Sequence, residues 1–383
     1  MEVRTRVIVA IFILCSILLP PAGSTWHHRR GKRHRNFVFN HGFASGGEGG
    51  DGNPSHQRFD AFANIFFDAA FGNFAKFRVG FYDQTCPQAE EIVAEVVSEA
   101  FQNDKGIAPG ILRVHFHDCI VTGCDASLLL DSTPSGKDVE KTSPANGPNL
   151  RGIEVIDEIK SRLEIVCPGT VSCSDVLAFA ARDSLVLSGV PHYDVPGGRR
   201  DSLSSHSEDI DGNMTIPSAS IENLAQLFAR KGLTVEDMVV LTGAHSIGRA
   251  HCPTFAYRVY GFNQTHHRDP KLEPSTSTRI SSTCPRPNTP PQPDFTGTSM
   301  PFDSSTEFTM DTEFYNQLFE GKGLIESDQA MAEDPRTSDI VKEMASNEDL
   351  WLNKFSKAMV QMGKMDVKTG TEGEIRQNCR SVN

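Results

Sequence analysis

From about Val79 onward, apolar side chains recur at three- and four-residue intervals, the period of an α-helix. Pro87 opens a segment in which Ile92, Val93, Val96, Val97 and Ala100 share one face. Further helices are predicted over Pro109 to Cys119, Leu150 to Val166, Cys173 to Leu187 (stopped by Gly189) and Ile221 to Lys231 (stopped by Gly232). Thr234-Val-Glu-Asp237 has the form of a capping box and predicts a helix through Leu241. One long helix is predicted over Ser338 to Met362. Strand signals are sparse, and Tyr193 to Arg200 is predicted to form a small hairpin. The stretch Cys284 to Pro301 is rich in Pro, Thr and Ser and reads as loop. No internal repeat interrupts the pattern. The expectation is a mainly α domain over residues 79–383, in two lobes around a cleft.

The first 78 residues follow different rules. Arg4 and Arg6 precede an apolar run from Val7 to Leu19, then Pro20, Pro21 and small residues. That run is shorter than a bilayer span, so residues 1–23 read as a signal peptide. Residues 24–78 form a distinct extension: a basic, His-containing run (His27 to Arg35), a Gly-rich stretch (His41 to Asn53), and an aromatic patch. In the patch Phe62, Phe66, Ala70 and Phe74 fall on one helical stripe. The extension reads as a tether with one amphipathic helix. Gly47-Glu-Gly49-Gly50-Asp-Gly52 spells a dinucleotide fingerprint, but it lacks a preceding strand, and Glu48 and Asp51 would repel a pyrophosphate.

With 383 residues, 38% of them hydrophobic, the chain can bury a large core. The formal net charge is −12 although residues 24–78 are basic, so the body is strongly acidic. An acidic body repels phosphate backbones and makes nucleic acid an unsuitable partner. Nine cysteines become eight once Cys15 leaves with the leader, an even number suited to four disulfides in an oxidising compartment. The sequons Asn213-Met-Thr and Asn263-Gln-Thr fit a secreted glycoprotein.

The chemistry concentrates in Arg113-Val-His115-Phe-His117-Asp118-Cys119-Ile-Val-Thr-Gly123-Cys124-Asp125-Ala-Ser127. On a helix Arg113 and His117 share a face while His115 points elsewhere. A guanidinium beside an imidazole can stabilise charge on a leaving oxygen while the imidazole moves a proton. Zinc is disfavoured: His-Glu-x-x-His and Cys-x-x-Cys are both missing. Asp118, Asp125, Ser127 and the carbonyls of Val121 and Gly123 offer hard oxygens at short spacing, which suits calcium. A second set, Asp303, Thr306, Thr309 and Asp311, repeats that logic. His245 stands between Gly243 and Gly248, where a flat cofactor could approach the backbone. Asp328, in an apolar setting, could orient an imidazole.

Several long motifs then occur in one order: the Arg113–Ser127 block, Glu140-Lys with Asn146, Val171-Ser-Cys-Ser-Asp, Gly197-Gly-Arg-Arg-Asp and Thr242-Gly-Ala-His-Ser-Ile-Gly. From Phe81-Tyr-Asp-Gln-Thr-Cys86-Pro to Asn378-Cys379-Arg, about 300 of the 383 residues, the chain resembles secretory plant-type (class III) haem peroxidases. The resemblance implies a helical fold of two lobes around a buried haem b, with hydrogen peroxide and small phenols as substrates. It implies His245 as axial ligand of the haem iron, with Asp328 accepting its other ring N–H. His117 would be the acid/base that moves the peroxide proton, with Arg113 stabilising the departing oxygen. Asn146, supported through Glu140, would keep His117 basic, and the Pro217 carbonyl would contact the donor. One calcium would use Asp118, Val121, Gly123, Asp125 and Ser127, with Glu140 at the same site. A second would use Ser246, Asp303, Thr306, Thr309 and Asp311. The implied disulfides are Cys86–Cys167, Cys119–Cys124, Cys173–Cys379 and Cys252–Cys284, one of on the order of a hundred arrangements open to eight cysteines.

The chain departs from the family at Ile120 (usually Phe), Glu307 (usually Pro), Met310 (usually Phe) and in the extension before Val79. It stops soon after Cys379, without the longer tail of vacuolar forms, so the expected place is the extracellular space or cell wall. A monomer that neither crosses a membrane nor binds nucleic acid is expected. Arg29 to Arg35 would tether it to anionic wall polysaccharide. The alternative is a non-catalytic wall-binding protein that keeps the calcium- and disulfide-stabilised fold.

Overall fold

A central helix, Cys173–Leu187, is buried along nearly its whole length. A computed structural model of the chain describes residues 77–147, 150–286 and 297–383. The expected leader and the Phe62–Phe74 helix lie outside the described residues. In chain order the helices are α1 (Ala89–Asn103), α2 (Ile107–Val121), α3 (Ile153–Val166), α4 (Cys173–Leu187), α5 (Ile221–Arg230) and α6 (Val235–Thr242). They continue as α7 (Tyr257–Tyr260), α8 (Pro274–Thr283), α9 (Glu313–Phe319), α10 (Glu326–Met331), α11 (Ser338–Ser346) and α12 (Glu348–Met362). The architecture is mainly α, as the periodicity predicts.

Local chemistry sets the ends. Ser172, Ser220 and Thr234 each accept a backbone N–H three residues on. At Thr234 the bond is reciprocated by Asp237, completing the capping box. Gly189 and Gly232 follow α4 and α5 at φ of 112° and 78°, a left-handed backbone that side chains resist.

α1, α2, α3 and α4 enclose one apolar core that includes Val93, Ile111, Ile156 and Phe179. A second core gathers parts of α2, α5, α6, α9, α11 and α12 around Met238, Tyr315, Trp351 and Phe355. A smaller one packs Phe255, Leu272, Ile280 and Met300. α2 contributes to both larger cores, so it sits where the two meet.

Disulfides staple this frame. Cys86–Cys167 joins the approach to α1 to the end of α3, and Cys173–Cys379 joins α4 to the C-terminal segment. Cys119–Cys124 closes the loop after α2, and Cys252–Cys284 joins the segment after residue 251 to the end of α8. Each cross-link of this kind contributes about 2–4 kcal/mol.

Three expectations are corrected. The long C-terminal helix is two helices, because Asn347 adopts an extended backbone and its side chain accepts the Leu350 N–H to start α12. Tyr193 to Arg200 forms no hairpin. Gly197 pairs with Arg78 and Arg200 with Lys368, partners far apart in sequence. The strand pairing among the described residues is instead β1 (Arg249–His251) against β2 (Ser299–Pro301), antiparallel, with Ala250 opposite Met300. β2 falls inside the stretch read as loop.

Candidate active site

Arg113 and His117 lie one turn apart on α2, whose other faces are buried. The Arg113 guanidinium donates to the Asn146 carbonyl at 3.0 Å and to the Ala145 carbonyl at 3.4 Å. His117 Nδ1 lies 2.7 Å from Asn146 Oδ1. The orientation of the Asn146 amide follows from its other end, where Nδ2 donates to the Glu140 carbonyl at 2.5 Å. Oδ1 therefore faces His117 and can only accept, so Nδ1 carries the proton and Nε2 keeps its lone pair. The support passes through the main chain of Glu140, not its carboxylate. Burial, and secondarily the Arg113 charge, pull the His117 pKa down to about 3, against the Asn146 bond, which raises it. The imidazole is a free base at neutral pH.

His115, on another face of α2, is also held near a pKa of about 3 by burial and by Arg199. Its Nδ1 lies 3.7 Å from Cys119 Sγ. His115, Cys119 and Cys124 cluster at metal-ligand spacing, but both sulfurs are consumed by their disulfide.

His245 sits in a single tight turn, residues 243–246, that prolongs α6. Its Nδ1 lies 2.8 Å from Asp328 Oδ2, on α10, and the acid is buried. Since a carboxylate accepts, Nδ1 again carries the proton and Nε2 is left available. The Phe302 ring stacks on the imidazole at 4.1 Å between centroids, 4° from parallel. The side chain is 36% exposed although its surroundings are apolar. Gly243 lets the turn approach: a Cβ there would come 2.8 Å from Trp351 Nε1. Gly248, at φ 90°, brings the following backbone against α2, where a Cβ would lie 2.7 Å from Pro109. The His245 turn and α2 thus belong to one packed unit.

Two oxygen-rich clusters flank these histidines. In the first, Asp118 and Asp125 are fully buried, and Asp118 accepts the amides of Asp125, Ala126 and Leu128 at 2.9–3.2 Å. Glu140 is equally buried, and neither of its carboxylate oxygens makes a well-formed hydrogen bond. Burial and Asp118 push its pKa up to about 8, with only partial relief from the Ser127 hydroxyl. Asp118 is also raised to about 8, by burial and then by Asp125. Buried carboxylates without counter-charge are costly, and an oxygen-ligated divalent cation removes that cost, so this donor set fits calcium. Val121 and Gly123 flank the turn, and Ser127 Oγ bonds Thr122 at 3.0 Å.

In the second cluster Ser246 Oγ lies 3.0 Å from the Thr309 carbonyl and 2.9 Å from that of Asp311. Asp303 accepts from the amides of Ser305 and Thr306 and from the Thr306 hydroxyl. All five residues of this set converge. Glu307 pairs with Arg249 at 2.7 Å, and its carbonyl accepts the Gly248 N–H. The Pro217 carbonyl accepts the Ser327 N–H at 3.0 Å, next to Asp328, and a carbonyl keeps a second lone pair when one is engaged. Phe302, Lys231 and Lys368, which enter these sites from distant segments, were not singled out by the sequence, and no local pattern marks them.

A family model described as Peroxidase matches residues 93–347. The chain is 46% identical over 309 residues to Peroxidase 5 of Vitis vinifera, covering 81% of this chain and 92% of that one. It is 45% identical over 313 residues to Peroxidase 1 of Zea mays (81% and 84%) and 41% identical over 310 residues to Peroxidase 57 of Arabidopsis thaliana (81% and 94%). The chain belongs to the peroxidase family, in its plant (class III) branch. It is therefore a haem peroxidase, an enzyme that reduces hydrogen peroxide with electrons from a donor. The residues of this peroxidase fit a haem: two imidazoles are each pinned at Nδ1 and offer Nε2, and Arg113 has no carboxylate partner among the described residues.

Proposed function

We propose that this peroxidase holds haem b through His245 Nε2 and oxidises small phenols in the cell wall or extracellular space. The observation that carries the site assignment is the matched pinning of two imidazoles, by Asn146 Oδ1 at 2.7 Å and by Asp328 Oδ2 at 2.8 Å. The haem supplies the redox chemistry when bound. Asp328 draws the His245 Nδ1 proton towards itself, which makes Nε2 a stronger donor to a metal. His117 Nε2 takes a proton from hydrogen peroxide and returns it to the departing oxygen. Arg113 stabilises the charge that develops on that oxygen, with its guanidinium aimed by the carbonyls of Ala145 and Asn146.

Calcium at the Asp118–Asp125–Glu140 cluster and at the Ser246–Asp303–Asp311 cluster would hold α2 and the His245 turn in register. The Pro217 carbonyl meets the phenolic donor through the lone pair that Ser327 leaves free. Residues 1–23 act as a signal peptide and residues 24–78 as a basic extension that binds anionic wall polysaccharide, ahead of a monomeric catalytic domain. No helix among the described residues is long and apolar enough to cross a membrane. The non-catalytic alternative is not favoured, since Arg113, His117, Asn146, His245 and Asp328 are all present and bonded as catalysis needs. The test is an absorption spectrum of purified protein before and after adding peroxide, paired with guaiacol oxidation. A haem-loaded protein inert to peroxide would sink the site assignment.

A further inference from the structure

Two ammonium groups occupy oxygens of the first cation cluster. Lys368 Nζ lies 2.5 Å from Asp125 Oδ2. Lys231 Nζ donates to the Val121 carbonyl at 2.7 Å. The Lys368 contact is built into the fold. Its carbonyl accepts the Arg200 N–H at 2.9 Å in an isolated bridge, and the side chain is 31% exposed against a fully buried Asp125. Asp125 Oδ1 is taken by the Ser127 amide at 3.1 Å. The cluster thus holds three buried carboxylates, Asp118, Asp125 and Glu140, while Lys368 pairs with one of them and Glu140 makes no well-formed hydrogen bond through its carboxylate among the described residues.

We propose that Lys368 is a tethered counter-ion of Asp125 that competes with calcium for this cluster and so sets its calcium affinity. The proposal rests on the calcium reading of the cluster given above. The tether acts in two directions. A buried carboxylate needs a positive partner, and Lys368 provides one from within the chain, so the loop after α2 keeps its shape when calcium is low. A divalent ion on Asp125 meets the same ammonium as a like charge. The lysine's long flexible stem lets it withdraw to solvent, at the loss of its ion pair. Calcium affinity depends on the net charge of the ligand set, and Lys368 lowers that charge by one. Lys231 is the weaker contributor, because a carbonyl retains a second lone pair when one is engaged.

The haem-loaded parent, Lys368→Met, Lys368→Gln, Lys368→Arg and Glu140→Gln are to be stripped with chelator and titrated calorimetrically with calcium. Retained calcium is counted by atomic emission, and melting is followed with and without the ion. Removing the charge should tighten calcium binding about tenfold or more, a modest part of the Coulomb interaction between a unit and a double charge a few ångströms apart. The Met and Gln variants should also melt below the parent in chelator and at or above it in calcium, while Lys368→Arg tracks the parent. Parent-like affinity in both neutral variants, or equal destabilisation with and without calcium, makes Lys368 an ordinary structural ion pair and overturns the proposal alone. Failure of the parent to bind calcium, or unchanged binding in Glu140→Gln, overturns the site and the proposal together.

Discussion

His117 is an ordinary imidazole made useful by its neighbours. Burial and Arg113 keep it unprotonated, and Asn146 fixes which nitrogen carries the hydrogen. Replacing it with Leu should leave haem uptake intact but slow the reaction with peroxide by orders of magnitude, because the proton shuttle is lost. Stopped-flow absorbance at the Soret band would measure this, and a variant that reacts at the parent's rate refutes the assignment. The depressed pKa also sets a pH profile. A base with a pKa of about 3 stays unprotonated at every higher pH, so its contribution is complete at neutral pH and lost only as pH falls through about 3. The bimolecular rate with peroxide should therefore be flat from pH 7 to about 4; a decline centred near 6.5 would mean an unperturbed imidazole.

At the scale of elements, the α6 turn is the tightest constraint. Gly243 has no room for a side chain between Tyr315 and Trp351, and the next residues present His245. Gly243→Ala should cost about 1–3 kcal/mol by overpacking and tilt His245 away from Asp328. The check is a lower Soret-to-protein absorbance ratio together with a lower melting temperature, and full haem occupancy would show that the turn has slack. The break between α11 and α12 makes a milder case. Asn347→Ala removes the cap of α12 and should cost about 1 kcal/mol, measurable by urea unfolding, while leaving the site alone. A long helix could not have turned there. Both sides of the break are helical by periodicity, and one extended residue separates them.

The molecule as a whole balances groups that titrate in opposite senses. His115 and His117 have folded pKa values near 3, so below about 6.5 the unfolded chain takes up protons that the folded one refuses, and stability falls with pH. Asp118 and Glu140 are raised to about 8. Their contribution is complete below the unfolded carboxylate pKa and is lost as pH rises from about 4 towards 8, because the buried groups must ionise. Calcium bound at this cluster would pair the ionised forms and abolish that second loss. The histidine effect is common to both conditions and cancels in their difference. The gap in melting temperature between calcium-loaded and chelated protein should therefore widen from pH 5 to pH 8. A gap independent of pH would exclude these carboxylates as the calcium ligands.

Much of this protein was readable one stretch at a time. Helix positions from α1 to α6, the Thr234 capping box and the Arg113–His117 pairing all depend on residues within a few positions of one another, where spacing and side-chain chemistry act directly. Family motifs also pointed to His245, Asp328, Asn146 and the cysteine pairs before any packing was known. Tertiary structure alone decided which distant groups complete them. Phe302 against His245, Lys368 on Asp125 across 243 positions, and the β1–β2 pairing are long-range contacts. Such partners leave no periodic trace in the chain, because they are selected by the shape of the space between elements and by which buried charges still lack a counterpart.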